Sequence, residues 1–263
     1  METSVREETI RPDDRDYVTA LASGLEVILA FDGANPRMTL SEVAARTDMN
    51  RARARRFLLT LHALGYVRKQ GRYFELGPKV LQLGYSYLSA NNYRLVIQQH
   101  LEDITAETGE SSSLAVLDGD DVTYVARSAA PHRLMAITLS VGTRLPAAYT
   151  SMGRVLLAQL PDDELNAFLE RVKLERHTEQ SITDKAELRR CIIEARQQGY
   201  CVVDQELESG LRSLALPVFD ANGRLLGAIN ISTNSARIDF DTLTNTFLPL
   251  LQEKARLIRA HVS

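Results

Sequence analysis

The sequence predicts an α+β protein in two parts: a small basic unit of helices closed by a hairpin, then a larger unit on a mainly antiparallel sheet. Three observations lead there. From Met49 to Phe74 there are seven cations (Arg51, Arg53, Arg55, Arg56, Arg68, Lys69 and Arg72) and no acid. Further on, strand-like runs meet at Asp118-Gly-Asp-Asp121 and Asp220-Ala-Asn-Gly223, polar turns of the kind that join antiparallel neighbours. Helical patterns are grouped before and after those runs and do not alternate with them.

A chain of 263 residues can hold two ordinary domains and a sizeable core. No apolar run approaches the length of a membrane span. Residues 1–16 hold six acids against three arginines. They read as a mobile acidic tail and not as a signal peptide, which needs a basic start and an apolar centre. A cytoplasmic location is expected. The net charge of −3 is unevenly spread: −3 over residues 1–16, +5 over 17–90 and −5 over 91–263. A basic module on an acidic body suits a reader of nucleic acid whose other domain should stay off it. The two cysteines, Cys191 and Cys201, sit in a helical and a strand-like run and read as free thiols. The five histidines form no short-spaced set with each other or with the cysteines, so no metal site is expected.

Tyr17 to Phe31 has the apolar spacing of a helix, with Asp16 a candidate N-cap. Gly33, Asn35 and Pro36 break it. Thr39-Leu-Ser-Glu42 fits a capping box and opens a short helix to about Thr47. Asp48 and Met49 make a tight turn. Asn50 can cap a second helix, which runs to Leu64 and stops at Gly65. In that helix Ala54, Phe57, Leu58, Leu61 and Leu64 form the buried stripe and the arginines lie off it. Two alternating segments flanking Lys69-Gln70-Gly71 predict a hairpin with a basic tip. Helix, turn, helix and hairpin make a winged helix-turn-helix over residues 17–77. Its second helix suits a major groove. Asn50, Arg51, Ala52 and Arg53 in the first turn point most directly at base edges. Arg55 and Arg56 can hold phosphate, as can Lys69 and Arg72 at the wing. Arg53 and Arg56 are the favoured DNA contacts; Thr39 at the preceding cap joins the candidate set.

Gly77-Pro78 leads into a helical segment, Lys79–Ser89, expected as a linker over 78–91. It can act as a spacer or help pair two protomers. Residues 92–263 form the second unit. Helices are expected from Asn92 to Thr108 and over Ser151–Leu160, Pro161–Arg171 and Asp184–Gln198, with a last one from Asp241. Strands are expected over Ser112–Leu117, Val122–Arg127, Leu134–Ser140, Tyr200–Val203, Leu211–Phe219 and Arg224–Ser232.

Over roughly residues 17–261 the chain resembles the IclR family of transcriptional regulators. The N-terminal likeness rests on Leu40-Ser-Glu-Val-Ala-Ala-Arg-Thr47, Leu58-Leu-Thr-Leu-His-Ala-Leu-Gly-Tyr-Val67 and Phe74-Glu-Leu-Gly77. Asp48 stands where such turns usually carry Gly, and Asp tolerates the left-handed conformation. The C-terminal likeness, which implies a GAF-like effector domain, rests on Thr150-Ser-Met-Gly-Arg-Val-Leu-Leu-Ala158, Gly210-Leu-Arg-Ser-Leu-Ala-Leu-Pro-Val-Phe-Asp220 and Gly227-Ala-Ile-Asn-Ile-Ser232. Tyr124-Val-Ala-Arg-Ser128, Val141-Gly-Thr-Arg-Leu-Pro146 and Tyr149-Thr-Ser-Met-Gly-Arg154 resemble the regulators of aromatic-acid breakdown through the β-ketoadipate pathway, the PcaR, PcaU and PobR type. That resemblance implies a small organic acid effector such as protocatechuate, 4-hydroxybenzoate or β-ketoadipate, double-stranded operator DNA as partner, a homodimer or homotetramer, and no cofactor.

It also implies an effector pocket formed by Ser151, Met152, Val203, Leu211, Ser213, Asn230 and Ser232. Backbone N–H groups at Ser151–Gly153 would favour a carboxylate. The family often has an acid at Val203 and Cys at Ser213; losing the acid should make the pocket more apolar. Arg127, Arg133 and Arg144 are candidates to hold the effector carboxylate, since a guanidinium can bind it bidentately. For Arg127 an outward or structural role is equally open. Arg154 and Arg212 are expected to be structural. Two other readings are an enzyme in the C-terminal unit and a basic-helix module for protein or RNA. Against the enzyme, there is no Gly-x-Ser-x-Gly elbow, no His placed to activate Ser151 or Ser213, and no phosphate- or dinucleotide-binding glycine loop.

Overall fold

The computed structural model describes residues 10–90, 93–130 and 139–262. The chain divides into two compact units, Met1–Ala90 and Asn91–Ser263. Most of the acidic tail, most of the strand expected at Leu134–Ser140, and Arg133 lie outside the described residues.

In the first unit α1 (Thr19–Leu29) begins later than expected: Val18, with no side-chain hydrogen bond, occupies the cap position instead of Asp16. Asp16 falls too early, in a turn closed by the Tyr17 amide on the Asp14 carbonyl. Next come β1 (Arg37–Thr39), α2 (Leu40–Arg46) and α3 (Arg51–Ala63). Thr39 and Glu42 form the capping box of α2, and Asn50 Oδ1 accepts from the Arg53 amide at 2.9 Å to cap α3. Asp48 has φ 51°, and the following Met49 amide donates to the Ala44 carbonyl, so an Asp fills the left-handed position that closes α2. Ala54, Leu58 and Leu61 are buried, Phe57 is half-buried, and Leu64 is exposed because α3 ends before it. The wing is β2 (Val67–Gln70) and β3 (Tyr73–Leu76). Lys69 and Gln70 therefore belong to the strand, and the turn is Gly71-Arg72. β1 pairs with β3 and adds a third antiparallel strand that periodicity did not reveal, since three residues are too few to show alternation. A short turn of 3-10 helix at Pro78–Val80 leads into α4 (Leu81–Ala90).

The second unit contains α5 (Tyr93–Thr108), β4 (Ser111–Asp118), β5 (Asp121–Ser128), β6 (Arg144–Pro146), α6 (Ser151–Leu157), α7 (Asp162–Arg171) and α8 (Lys185–Gln198). β7 (Cys201–Asp204), β8 (Leu211–Phe219), β9 (Leu225–Asn234), α9 (Phe240–Thr242) and α10 (Leu248–His261) complete it. A π turn at Leu243–Phe247 precedes α10; Pro249 at the start of α10 cannot donate an amide to the turn before it. The strands form one sheet in the order β6-β5-β4-β9-β8-β7, every pairing antiparallel. Strand β6 was not anticipated.

Alternation along the strands divides the core. Leu214, Leu216, Ile229 and Ile231 face a cluster with Leu101 and Ile104 of α5 and Leu251 and Ile258 of α10. Ala115, Val122, Ala215 and Ala228 face a second cluster with α6, α7 and α8. Small side chains on that face let α6 lie close to the sheet. A bulge in the β4–β5 ladder falls between Leu114 and Ala115, opposite Ala126 and Tyr124, leaving Val125 as the extra residue. It reverses the alternation of β5, because one added residue moves every later side chain to the other face.

Candidate functional site

Two regions bring the predicted residues together. The first is the outer face of α3. Arg51, Arg55 and Arg56 are exposed, and their side chains make no hydrogen bond or ion pair among the described residues. At 100° per residue, Ala52 and Arg56 lie opposite the buried Ala54, Leu58 and Leu61. An open groove beside this face is lined by Ala20, Asn50, Ala52, Arg53, Arg56 and Phe57, among others. Arg53 is exposed as well, but it is tied to the neighbouring helix: its Nη2 donates to Ser23 Oγ of α1 at 2.6 Å. On the wing Lys69 is exposed, while Arg72 donates to the Tyr73 hydroxyl at 2.9 Å and lies over its ring. The Thr39 hydroxyl is engaged with Glu42 in the capping box, which holds the Glu42 carboxyl below its usual range through the Thr39 amide and hydroxyl.

The second region is a cavity between the sheet and α6. Ser151, Met152, Val203, Leu211, Ser213, Asn230 and Ser232 all line it. Ser151 Oγ and Ser213 Oγ lie 2.6 Å apart, and Asn230 Nδ2 donates to Ser213 Oγ at 3.1 Å and to Ser232 Oγ at 2.9 Å. Asn230 Oδ1 is buried without a hydrogen-bond partner among the described residues, an acceptor whose desolvation is uncompensated until something donates to it. Met152, Val203, Leu139, Leu145, Leu207 and Leu211 supply apolar wall. Gly153 sets how closely α6 approaches, because a Cβ there would overlap the Ala147 backbone. The Gly153 amide is taken by the Thr150 hydroxyl at 3.0 Å, so it is not a free donor for a carboxylate.

Two matches to family models cover most of the chain: "IclR helix-turn-helix domain" over residues 20–71 and "Bacterial transcriptional regulator IclR C-terminal" over 85–260. The chain belongs to the IclR family. It is a DNA-binding transcriptional regulator of that type. It is 45% identical to the Pca regulon regulatory protein of Pseudomonas putida, over 92% of this chain and 84% of that one. Among solved structures it matches a transcriptional regulator from Rhodococcus sp. RHA1 at 51% identity and TM-score 0.81, covering 94% and 98% of the two chains. It also matches the inducer-binding domain of the Acinetobacter PobR transcription factor, solved as a double mutant with 3-hydroxybenzoic acid. That match has 33% identity and TM-score 0.59, covering 63% of this chain and 97% of that one.

Within this IclR-type cavity the predicted arginines separate. Arg127 is half-buried and outside the lining, yet it shares the cavity face of the sheet. It pairs across the ladder with Ser113, which pairs with Asn230, and its Nη1 donates to Ser113 Oγ at 3.0 Å. Without the β5 bulge it would face the other way. Arg144 is not at the cavity: it is exposed and bound to Asp118 and Asp121 at the β4–β5 turn. Arg133 lies outside the described residues. Arg154 forms a buried bidentate pair with Glu206, at 2.7 and 2.5 Å. Arg212 pairs with Asp204 and donates to the Ile238 carbonyl.

Sequence reading missed Tyr124, Tyr149, Glu206, Leu207 and Glu208 in the lining. Although Val203 removes one acid, Glu206 and Glu208 bring two others to the wall; they come from the loop after β7, where no periodicity gives direction. Tyr124 had a signal, as an aromatic in a strand of inward Val122. Burial pushes its phenol up to about 12, offset in part by nearby Arg127, so it stays neutral and can donate. Cys201 is buried and its thiol is likewise pushed up to about 12 by burial. Among the described residues no group of His, Cys, Asp and Glu could hold a metal ion, and no helix is long and apolar enough to cross a membrane.

Proposed function

We propose that this regulator binds operator DNA through α3 and the wing and is controlled by a small organic acid of aromatic-acid breakdown in the cavity under α6. The observation that carries the effector reading is the polar seam Ser151–Ser213–Asn230–Ser232 set in an apolar wall. Such a seam orients a ring bearing a carboxylate and a hydroxyl. Arg127 on the same face supplies a positive charge two strands from Asn230. Likeness to a Pca regulon regulator and to a PobR domain solved with 3-hydroxybenzoic acid supports an effector of the protocatechuate, 4-hydroxybenzoate or β-ketoadipate class.

On this reading residues 17–77 read DNA, 78–91 link and 92–263 sense the effector, in the cytoplasm. Arg51, Ala52, Arg55 and Arg56 meet the major groove of the operator, with Lys69 and Arg72 beside phosphates. Exposed Leu81, Leu83, Tyr85 and Tyr87 on α4 and Leu21, Leu25 and Leu29 on α1 favour pairing of two copies, which also doubles the bases touched. The effector favours one arrangement of the paired units, and the linker transmits that preference to the spacing of the two α3 helices. Ser151 and Ser213 bond to hydroxyl and amide partners, with no imidazole or carboxylate bonded to either among the described residues.

A thermal-shift series with protocatechuate, 4-hydroxybenzoate, 3-hydroxybenzoate and β-ketoadipate tests the effector reading. A ligand at a hundred times its Kd adds about 2.7 kcal/mol to native stability, and Asn230→Ala should abolish the rise. If none of the four raises the melting temperature, the aromatic-acid reading fails.

A further inference from the structure

Of the four exposed arginines on α3, one is tied to a neighbouring helix. Ser23 lies among the buried residues of α1, beside Val27 and Ile28, and is 3% exposed. Its hydroxyl makes one side-chain hydrogen bond among the described residues, accepting from Arg53 Nη2 at 2.6 Å. The Arg53 guanidinium also lies 5.9 Å from the Phe57 ring centre. The helices meet closely there: a Cβ on Gly24 of α1 would lie 4.0 Å from Phe57 Cδ1. The Arg53 amide is bound as well, to Asn50 Oδ1. Arg53 is thus fastened at its main chain and at its tip, whereas Arg51, Arg55 and Arg56 make no side-chain bond among the described residues.

We propose that Arg53 is a positioning residue: it clasps α3 to α1 through Ser23 and fixes the rotation of α3, leaving base reading to the face centred on Ala52 and Arg56. This rests on the reading of α3 as the DNA face. A donor locked onto a neighbouring helix would have to break a charge-assisted hydrogen bond before it could reach a base. Fixing the roll of α3 determines which side chains meet base edges, so the clasp acts on specificity and contributes no phosphate contact.

The test is a double-mutant cycle in the full chain: Ser23→Ala, Arg53→Ala, their combination, Arg53→Lys, and Arg56→Ala for comparison. Binding is followed by anisotropy over a range of KCl, with a duplex selected by the wild-type protein from a random pool and with a scrambled duplex. A clasp predicts that Ser23→Ala and Arg53→Ala each weaken the selected duplex about tenfold relative to the scrambled one. The combination is no worse than either, and the salt slope is unchanged. Arg53→Lys, which can still donate to Ser23, recovers part of the loss. Arg56→Ala lowers the salt slope by about one if it holds a phosphate, or relaxes base preference if it reads a base. The proposal is overturned if Ser23→Ala binds like wild type while Arg53→Ala loses affinity and slope, because Arg53 then touches DNA. If Arg56→Ala also leaves binding and salt slope untouched, the assignment of α3 as the DNA face fails first. Should Arg53→Ala not fold, Ser23→Ala removes a single oxygen and still decides the question.

Discussion

Tyr124 shows how burial alone sets the chemistry of one side chain. Its hydroxyl makes no hydrogen bond among the described residues, and it lines the cavity beside Ser151 and Asn230. Loss of hydration favours the neutral phenol, and the nearby Arg127 only partly offsets this. With the folded pKa raised to about 12, this residue's stabilising contribution is complete below the unfolded pKa near 10. It is lost as pH rises between those two values. Absorbance titration near 295 nm should show one of the nine tyrosines ionising last, and Tyr124→Phe should remove that step and make alkaline unfolding less steep. A Tyr124→Phe titration curve identical to wild type would contradict the assignment.

At the scale of elements, α6 holds its place through an absent side chain. Gly153 lies against the Ala147 backbone, and the turn at Ala147–Tyr149 leads straight into α6. Backbone cannot swing aside as a flexible side chain can, so Gly153→Ala must push α6 off the sheet or distort the turn. Overpacking of this kind costs about 1–3 kcal/mol. The melting temperature should fall and effector binding should weaken with it, since Ser151 and Met152 ride on the same helix. Gly153→Ala with wild-type melting and effector affinity would mean that α6 is not so constrained. The neighbouring Arg154 is fixed by Glu206, a buried pair whose partner-deleted form leaves an uncompensated charge.

At the scale of the whole molecule, charge is divided between the two units, and the basic one suits a phosphate backbone. Residues 17–90 carry +5 and residues 91–263 carry −5. Each phosphate that a cation neutralises adds about 0.9 to the salt slope of binding. Replacing Arg51, Arg55 and Arg56 together by Gln should therefore lower the slope by about two to three. Melting temperature should hardly move, because all three are exposed and free of ion pairs among the described residues. An unchanged slope in the triple variant would remove these residues from the DNA contact.

By itself the sequence determined most of the elements and several of their ends. Thr39 with Glu42, Asn50, Asp184 and the stop at Gly199 act within one turn of chain, so their effect is local and can be read from neighbours. It also determined the family, and with it seven residues that the fold gathers around one cavity. Only the tertiary structure decided which polar groups meet. Ser151 reaches Ser213 across 62 positions and Arg53 reaches Ser23 across 30. One bulge in β5 turns Arg127 to the cavity face, and a loop after β7 brings Glu206 and Glu208 to its wall. Pairings of that kind depend on register and on close packing between distant segments, and local periodicity carries no information about either.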